Sequence, residues 1–281
     1  MNKLFPYAIK IANLISPLLA IKMKSFVKRQ EFSLPYEHLF DNVCIEITTK
    51  CNYKCSFCAQ SFASREENFM TEDVFRTIID QLAEKNYSGG IGFQVINEPL
   101  CHDKLESFIN YASKKCPESK LHIISNGALL KKDRLLKLFE NGLSNAYIND
   151  YSKGHKVIKR LSPIIESLEP ELQNKIELHK RSNDEVLSSH GGNANGAGKF
   201  KLPLNAFCSF PFERLVINSY GDIIICCSDY LSDVKFGNVM HDNVVDKWYG
   251  NKFNHIRKLL YHGKRDKINI CKKCDEIHEF F

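Results

Sequence analysis

From residue 43 onward, short apolar runs alternate with longer segments whose apolar positions recur at helical spacing. "VCIEIT" (43–48), "GGIGFQVI" (89–96), "KLHIIS" (120–125), "SNAYIND" (144–150) and "KIELHK" (175–180) read as strands. Between them, "TEDVFRTIIDQLAEK" (71–85), "DKLESFINYASKK" (103–115), "KKDRLLKLFENG" (131–142) and "HKVIKRLSPIIESL" (155–168) read as amphipathic helices. Thr71 is placed to cap the first of these and Gly142 to stop the third. "EVLSS" (185–189) predicts one more short strand. Strict β/α alternation predicts a parallel sheet. Five or six units are too few for a closed eight-stranded barrel, so the fold class is α/β, a partial (β/α) barrel. In such folds the chemistry gathers at the C-terminal ends of the strands.

The pattern changes after residue 190. "SSHGGNANGAGKFKLP" (188–203) has no period and reads as a linker that also rims a site; its glycines lack P-loop spacing. "FERLVINSYGDIIIC" (212–226) predicts a hairpin turning at Gly221-Asp222. "DNVVDKWYGNKFNHIRKLLYHG" (242–263) predicts a helix running into "CKKC" (271–274). These breaks divide the chain into an N-terminal extension (1–40), a partial barrel (41–190) and a small C-terminal domain built on the hairpin (191–281).

The N-terminal "LFPYAIKIANLISPLLAIKMK" is apolar with basic flanks. Lys10 interrupts it and Pro17 breaks it, so it is too short to span a bilayer, and no clean signal-peptide cleavage site follows. It predicts an amphipathic helix packed on the domain. Lys3, Lys10, Lys22, Lys24, Lys28 and Arg29 also suit a peripheral membrane contact by residues 1–29, at the inner face of the membrane.

Composition adds three limits. At 281 residues, 43% hydrophobic and 26% charged, the chain can bury a sizeable soluble core. A net charge of +6 without a dense Lys/Arg block argues against nucleic acid. Eleven cysteines, clustered towards the two ends, suit metal binding in a reducing cytoplasm better than a disulfide scaffold.

"CNYKCSFC" (51–58) leaves the end of the first predicted strand with Cys51, Cys55 and Cys58. Three thiolates are one ligand short of a closed structural zinc site or a fully ligated four-iron cluster. Cys51-x3-Cys55-x2-Cys58, with Phe57 before the last cysteine, resembles the signature of radical S-adenosylmethionine (SAM) enzymes. The resemblance implies that SAM completes the cluster at the open iron. It also implies reductive cleavage of SAM to a 5′-deoxyadenosyl radical that abstracts a substrate hydrogen. "NEPL" (97–100) stands where the family has Gly-Glu-Pro, which implies Glu98 for the SAM ammonium, with Asn97 in the glycine's place. "SNG" (125–127) implies Ser125 and Asn126 near the SAM ribose or carboxylate; a plain polar turn is the alternative.

Cys208, Cys226, Cys271 and Cys274 form a second set, for which zinc and iron are equally good by ligand chemistry alone. Cys-x12-Gly-x4-Cys, followed by "FGNV" (236–239), Trp248 and CxxC, is similar to the short SPASM/Twitch extension of the same family. That likeness implies a second, fully ligated [4Fe-4S] cluster with an electron-accepting or structural role. Within the family the chain resembles the 2-deoxy-scyllo-inosamine dehydrogenase-like branch. This implies oxidation of a secondary alcohol on a sugar or cyclitol, with flavodoxin or ferredoxin as electron donor. His190, Ile96-Asn97 and Cys227 depart from that branch, replacing an arginine, an aromatic-glycine pair and a phenylalanine.

Cys227 directly follows a proposed ligand, and adjacent strand residues point to opposite faces. It is therefore a candidate hydrogen-atom donor, which would make the reaction an epimerisation, or else a small buried hydrophobe. His190, Asp229 and Tyr230 are candidates to accept the hydroxyl proton, with His190 the first choice. Modification of a ribosomal peptide is a further enzyme reading, and an electron carrier or iron–sulfur sensor is the non-enzyme one.

Overall fold

The computed structural model describes residues 16–181, 188–194 and 202–276. Eight strands form one sheet in the order β5-β4-β3-β2-β1-β6-β7-β8. They are β1 (Asn42–Ile45), β2 (Gly90–Gly92), β3 (Lys120–Ser125), β4 (Asn145–Asp150), β5 (Ile176–Lys180), β6 (Arg214–Ile217), β7 (Asp222–Ile224) and β8 (Lys235–Asn238). From β5 to β6 every pairing is parallel; β7 and β8 add on antiparallel. Each strand alternates between two packing environments. Val43 and Ile45 enter the large core, while Cys44 joins a smaller cluster with Phe210, Val216 and Ile224.

The helices over the large core follow the predicted pattern at Glu72–Ala83, Leu105–Lys115, Lys132–Glu140 and Lys156–Glu166. The Thr71 hydroxyl accepts from the Val74 N–H, so the first helix is capped as its sequence requires. Phe75 and Phe108 stack between the first two helices, with ring centroids 4.0 Å apart.

Three expectations change. The predicted strand at 185–189 lies partly outside the described residues, and Ser188 and Ser189 are not in a strand. The sixth parallel position is taken by β6, paired with β1 from Asn42↔Arg214 to Ile45↔Ile217. The sheet thus runs unbroken across the boundary expected at residue 190. The predicted 242–263 helix is two, Val244–Tyr249 and Asn251–Tyr261, because Gly250 adopts an extended ψ of 155°. Pro17 is the first residue of a helix (Pro17–Arg29), where a missing N–H costs nothing. That helix is fastened by the Phe207 N–H donating to Ser25 and by a Lys28–Glu213 ion pair at 2.9 Å. Residues 1–15, including Lys3 and Lys10, lie outside the description. Among the described residues no helix is long and apolar enough to cross a membrane.

The end of β4 shows how a strand terminus is set. Buried Asp150 accepts from the Ser152 N–H and hydroxyl and from the Ile158 N–H, pinning the following loop to the next helix. Burial raises its proton affinity, but these hydrogen bonds outweigh it and hold the carboxyl below its ordinary range. A depressed carboxyl contributes stability above its unfolded pKa and loses it as pH falls through the folded one. Asp150→Ala is expected to cost about 1–2 kcal/mol in chemical denaturation near pH 7. The gap from the parent should close only below the usual carboxylate range.

Candidate active site

The loop that carries Cys51, Cys55 and Cys58 leaves the C-terminal end of β1, where the parallel strands present their chemistry. Its path is fixed by backbone and side-chain hydrogen bonds. The Thr49 N–H donates to the Asn68 carbonyl, the Thr48 hydroxyl donates to the same carbonyl, and Gln60 Nε2 donates to the carbonyls of Thr49 and Ile96. A cavity of about 210 Å³ opens there, with all three cysteines in its wall. Phe57, Glu98, Ser125, Asn126 and His190 share that wall, so each predicted cofactor contact and the preferred base converge on one space.

Burial pushes the thiols up, Cys51 to about 12 and Cys55 to about 11. The N–H of Tyr53 donates to the Cys51 sulfur at 3.4 Å and opposes that rise. Sulfurs in so dry a place ionise when a metal supplies the compensating charge. Two residues of the cavity wall, Asn97 and His190, each carry a polar atom without a partner. Asn97 Nδ2 and His190 Nδ1 are buried and have none among the described residues. A sulfur-rich wall with orphaned polar atoms fits a cluster together with a polar ligand such as SAM.

Glu98, in the cavity wall, also has fixed partners within the protein. Its carboxylate is 1% exposed and already accepts from the Leu100 N–H (3.1 Å), the Ser125 hydroxyl (2.7 Å) and the Asn126 N–H (2.7 Å). It fastens the end of β3 to the end of the second unit, which sets Ser125 and Asn126. Asn126 Nδ2 in turn donates to Asn52 Oδ1 at 2.8 Å, beside Cys51. The cavity wall also holds Tyr53, Gln60, Gln94, Asn149 and Tyr151, none of which the sequence had marked. Tyr151 packs on Phe57 at 4.9 Å between centroids. Asn149 and Tyr151 stand at the end of β4, and that position was the available signal.

The second cysteine set is drawn together by tertiary contacts. Cys226 is pushed well above its ordinary pKa, first by burial and then by Cys227, Cys274, Cys271 and Cys208, and Cys208, Cys226 and Cys227 pack against one small apolar cluster. Buried Arg265 reaches from the C-terminal segment to the carbonyls of Ala206 and Phe207, and donates back to that of Glu276. This guanidinium staples Cys208 beside Cys271 and Cys274 and lowers the cost of ionising all three. Among the described residues no three His, Cys, Asp or Glu side chains close around a single-ion point.

Cys227 and Asp229 are not where the sequence placed them. β7 ends at Ile224, so strand alternation no longer governs residues 226 and 227. Cys227 packs in the small cluster with Cys44, and Asp229 accepts from the N–H groups of Asp233 and Val234 at 2.9 Å. Among the described residues the cavity wall includes neither. Tyr230 lies against Ala59 and Ile96.

His190 is presented by a short turn, His190–Gly192, at a left-handed φ of 44°. Gly191 follows at φ 64°, where a Cβ would run into Ile270. The Ser189 N–H donates to Asp275 Oδ1 at 2.5 Å and its hydroxyl to the Lys273 carbonyl at 2.7 Å. The tail carrying the second cysteine pair therefore holds the turn that delivers His190. Burial lowers the His190 pKa, against the pull of Glu276 and Asp275.

Two sulfur-lined groups on one open β/α sheet define a class of iron–sulfur proteins with a cavity at the strand ends. Residues 45–190 match the radical SAM superfamily, and the chain belongs to it. Residues 208–275 match SPASM, described as an iron–sulfur cluster-binding domain. The protein is thus a radical SAM enzyme whose cofactors are SAM with a [4Fe-4S] cluster and auxiliary iron–sulfur. It is 27% identical over 245 residues to the S-adenosyl-L-methionine-dependent 2-deoxy-scyllo-inosamine dehydrogenase of Niallia circulans, covering 86% of this chain and 95% of the relative. The crystal structure of BtrN in complex with AdoMet and 2-DOIA superposes with a TM-score of 0.77 at 26% identity, over 86% of this chain and 95% of that one. Native anSMEcpe with bound AdoMet shares the fold, with a TM-score of 0.56 at 14% identity, over 83% and 88% of the two chains.

After anaerobic reconstitution the chain is expected to hold roughly eight irons and no zinc, counting four per cluster. Replacing Cys208, Cys271 and Cys274 together with Ala should leave roughly four. Four irons plus one zinc in the parent would make the second site a zinc site.

Proposed function

We propose that the enzyme oxidises a secondary alcohol of a sugar or cyclitol-type small molecule to the ketone. One observation carries the reading: the likeness to a cyclitol dehydrogenase spans nearly all of that relative and takes in both cysteine groups. In this reading Cys51, Cys55 and Cys58 hold the SAM-binding cluster, and Cys208, Cys226, Cys271 and Cys274 hold the auxiliary one. When bound, these groups supply hydrogen-atom abstraction from carbon and an acceptor for the electron left behind.

The protein's own residues do the remaining work. Phe57 and Tyr151 close one side of the cavity and keep it dry. Glu98 fixes the end of β3 so that Ser125 and Asn126 meet the cofactor in a set orientation. His190, in the cavity wall, takes the hydroxyl proton on its imidazole as the carbonyl forms; its lowered pKa keeps it neutral, the form that accepts. The sum is loss of two hydrogens from the alcohol: one as an atom, one as a proton and an electron. A low-potential carrier such as flavodoxin or ferredoxin supplies the electron that starts the reaction. No observation favours Cys227 as a hydrogen donor, since it packs with Cys44 and does not line the cavity among the described residues.

A peripheral membrane contact is a separate proposal. It is supported by Leu19 and Phe26, exposed at 45% and 57% on the Pro17–Arg29 helix, with basic Lys22 and Lys24 on the same helix.

Incubation with SAM, a chemical reductant and a panel of aminocyclitols should release one ketone per 5′-deoxyadenosine. His190→Asn should lower turnover by about 10²-fold while SAM cleavage without substrate persists. Because burial disfavours the imidazolium, the parent's kcat/KM should hold at neutral pH and fall only below the ordinary imidazole range. An epimer as product, or a His190→Asn enzyme as fast as the parent, would refute the reading.

A further inference from the structure

The mechanism leaves three carboxamides of the cavity wall unused: Gln94, Asn97 and Asn149. In each, the oxygen already has a protein donor. Gln94 Oε1 accepts from the Ile124 N–H at 3.0 Å, Asn97 Oδ1 from the Val95 N–H at 2.8 Å, and Asn149 Oδ1 from Arg181 Nε at 3.2 Å. A flipped amide would set N–H against N–H at all three, so the orientation is fixed by chemistry. What each side chain has left to offer is its NH2 end. Asn97 Nδ2 is buried without a partner.

The sheet locates the other two. Ile91 belongs to the large core, so Gly92 faces the opposite side of the sheet. A Cβ at Gly92 would meet Gln94 Nε2 at 2.7 Å, which puts the Gln94 amide end over bare backbone on that side. Ile123 and Ile148 are also in the large core, and alternation turns Ile124 of β3 and Asn149 of β4 away from it. β3 lies between β2 and β4, and Ile124 is 41% exposed in the cavity wall. The wall thus has oriented amide donors at the ends of β2 and β4, with an apolar side chain on the strand between them. Its carboxylate among the described residues, Glu98, already accepts from three protein donors.

We propose that Gln94 and Asn149 are specificity-determining residues that donate to ring hydroxyl oxygens of the substrate, with Ile124 against the C–H face of the ring, and that they reject an ammonium at those ring positions. A hydroxyl oxygen has lone pairs for an amide N–H, whereas an ammonium has none and would meet the donors hydrogen to hydrogen. Asn97 adds a third donor of the same sense. The inference rests on the alcohol-oxidation reading for its substrate class, and it holds whether the product is a ketone or an epimer.

The test is anaerobic equilibrium binding to the reconstituted holoenzyme with SAM and no reductant, so that nothing turns over. The probes are scyllo-inositol and its monoamine, scyllo-inosamine. Gln94→Glu and Asn149→Asp keep the oxygen that accepts from Ile124 or Arg181 and exchange only the NH2 end for a second oxygen. Each is expected to bind scyllo-inositol about tenfold more weakly and to shift its preference towards the amine by at least that factor. Gly92→Ala, which adds no charge but displaces the Gln94 amide end, should weaken scyllo-inositol binding in the same direction. An unchanged preference in both acid variants would overturn the proposal, as would a Gly92→Ala enzyme that binds like the parent. A parent that binds neither probe would overturn it too. Failure of the reaction reading looks different: scyllo-inositol binds, but addition of reductant yields no ketone.

Discussion

The parallel pairing of β1 with β6 is the contact on which both cysteine groups depend. From Asn42↔Arg214 to Ile45↔Ile217, these strands join the first unit of the partial barrel to the hairpin that introduces Cys226. The loop after β1 carries Cys51, Cys55 and Cys58, and the segment after β7 carries Cys226. Since β7 pairs with β6, both groups are referred to one rigid sheet. The Cys208 segment and the C-terminal tail are then brought in by Arg265, whose fork replaces a longer run of secondary structure.

Burial makes these sulfurs difficult to ionise, and the fold compensates with fixed donors and cations. Tyr53 donates to Cys51, the charges of Lys54 and Arg65 favour an ionised Cys58, and that of Arg265 favours ionised Cys208, Cys271 and Cys274. A metal cluster supplies what remains, so ligand binding and local order are coupled. The same logic links the two sites. Ser189 is tied to the tail by Asp275 and Lys273, and the adjacent His190 enters the cavity at the first site. Tyr230 makes a second link, from the segment after Cys226 to the loop after Cys58.

Much of this was legible in the residues. The strand at 120–125 and the four barrel helices follow from local period, and that period survives in the structure because each strand and helix packs against its neighbours. Other readings failed where local rules no longer apply. Cys227 was assigned a face by strand alternation, but the strand stops at Ile224 and the residue packs with Cys44. Asp229 looked like a candidate base, but it serves the backbone of its own loop.

By itself the sequence determined the three-cysteine spacing, the β/α order and the presence of a second thiol set, because these depend on neighbours within a few residues. Only the tertiary structure decided that β6 would complete the parallel sheet, that Arg265 would gather the second set, and that His190 would reach the cavity while Cys227 would not. Those outcomes depend on pairings between residues far apart in the chain, such as Glu46 with Arg65 and Ser189 with Asp275. Local periodicity carries no record of such partners, since the burial and hydrogen bonding that select them exist only once the sheet has formed.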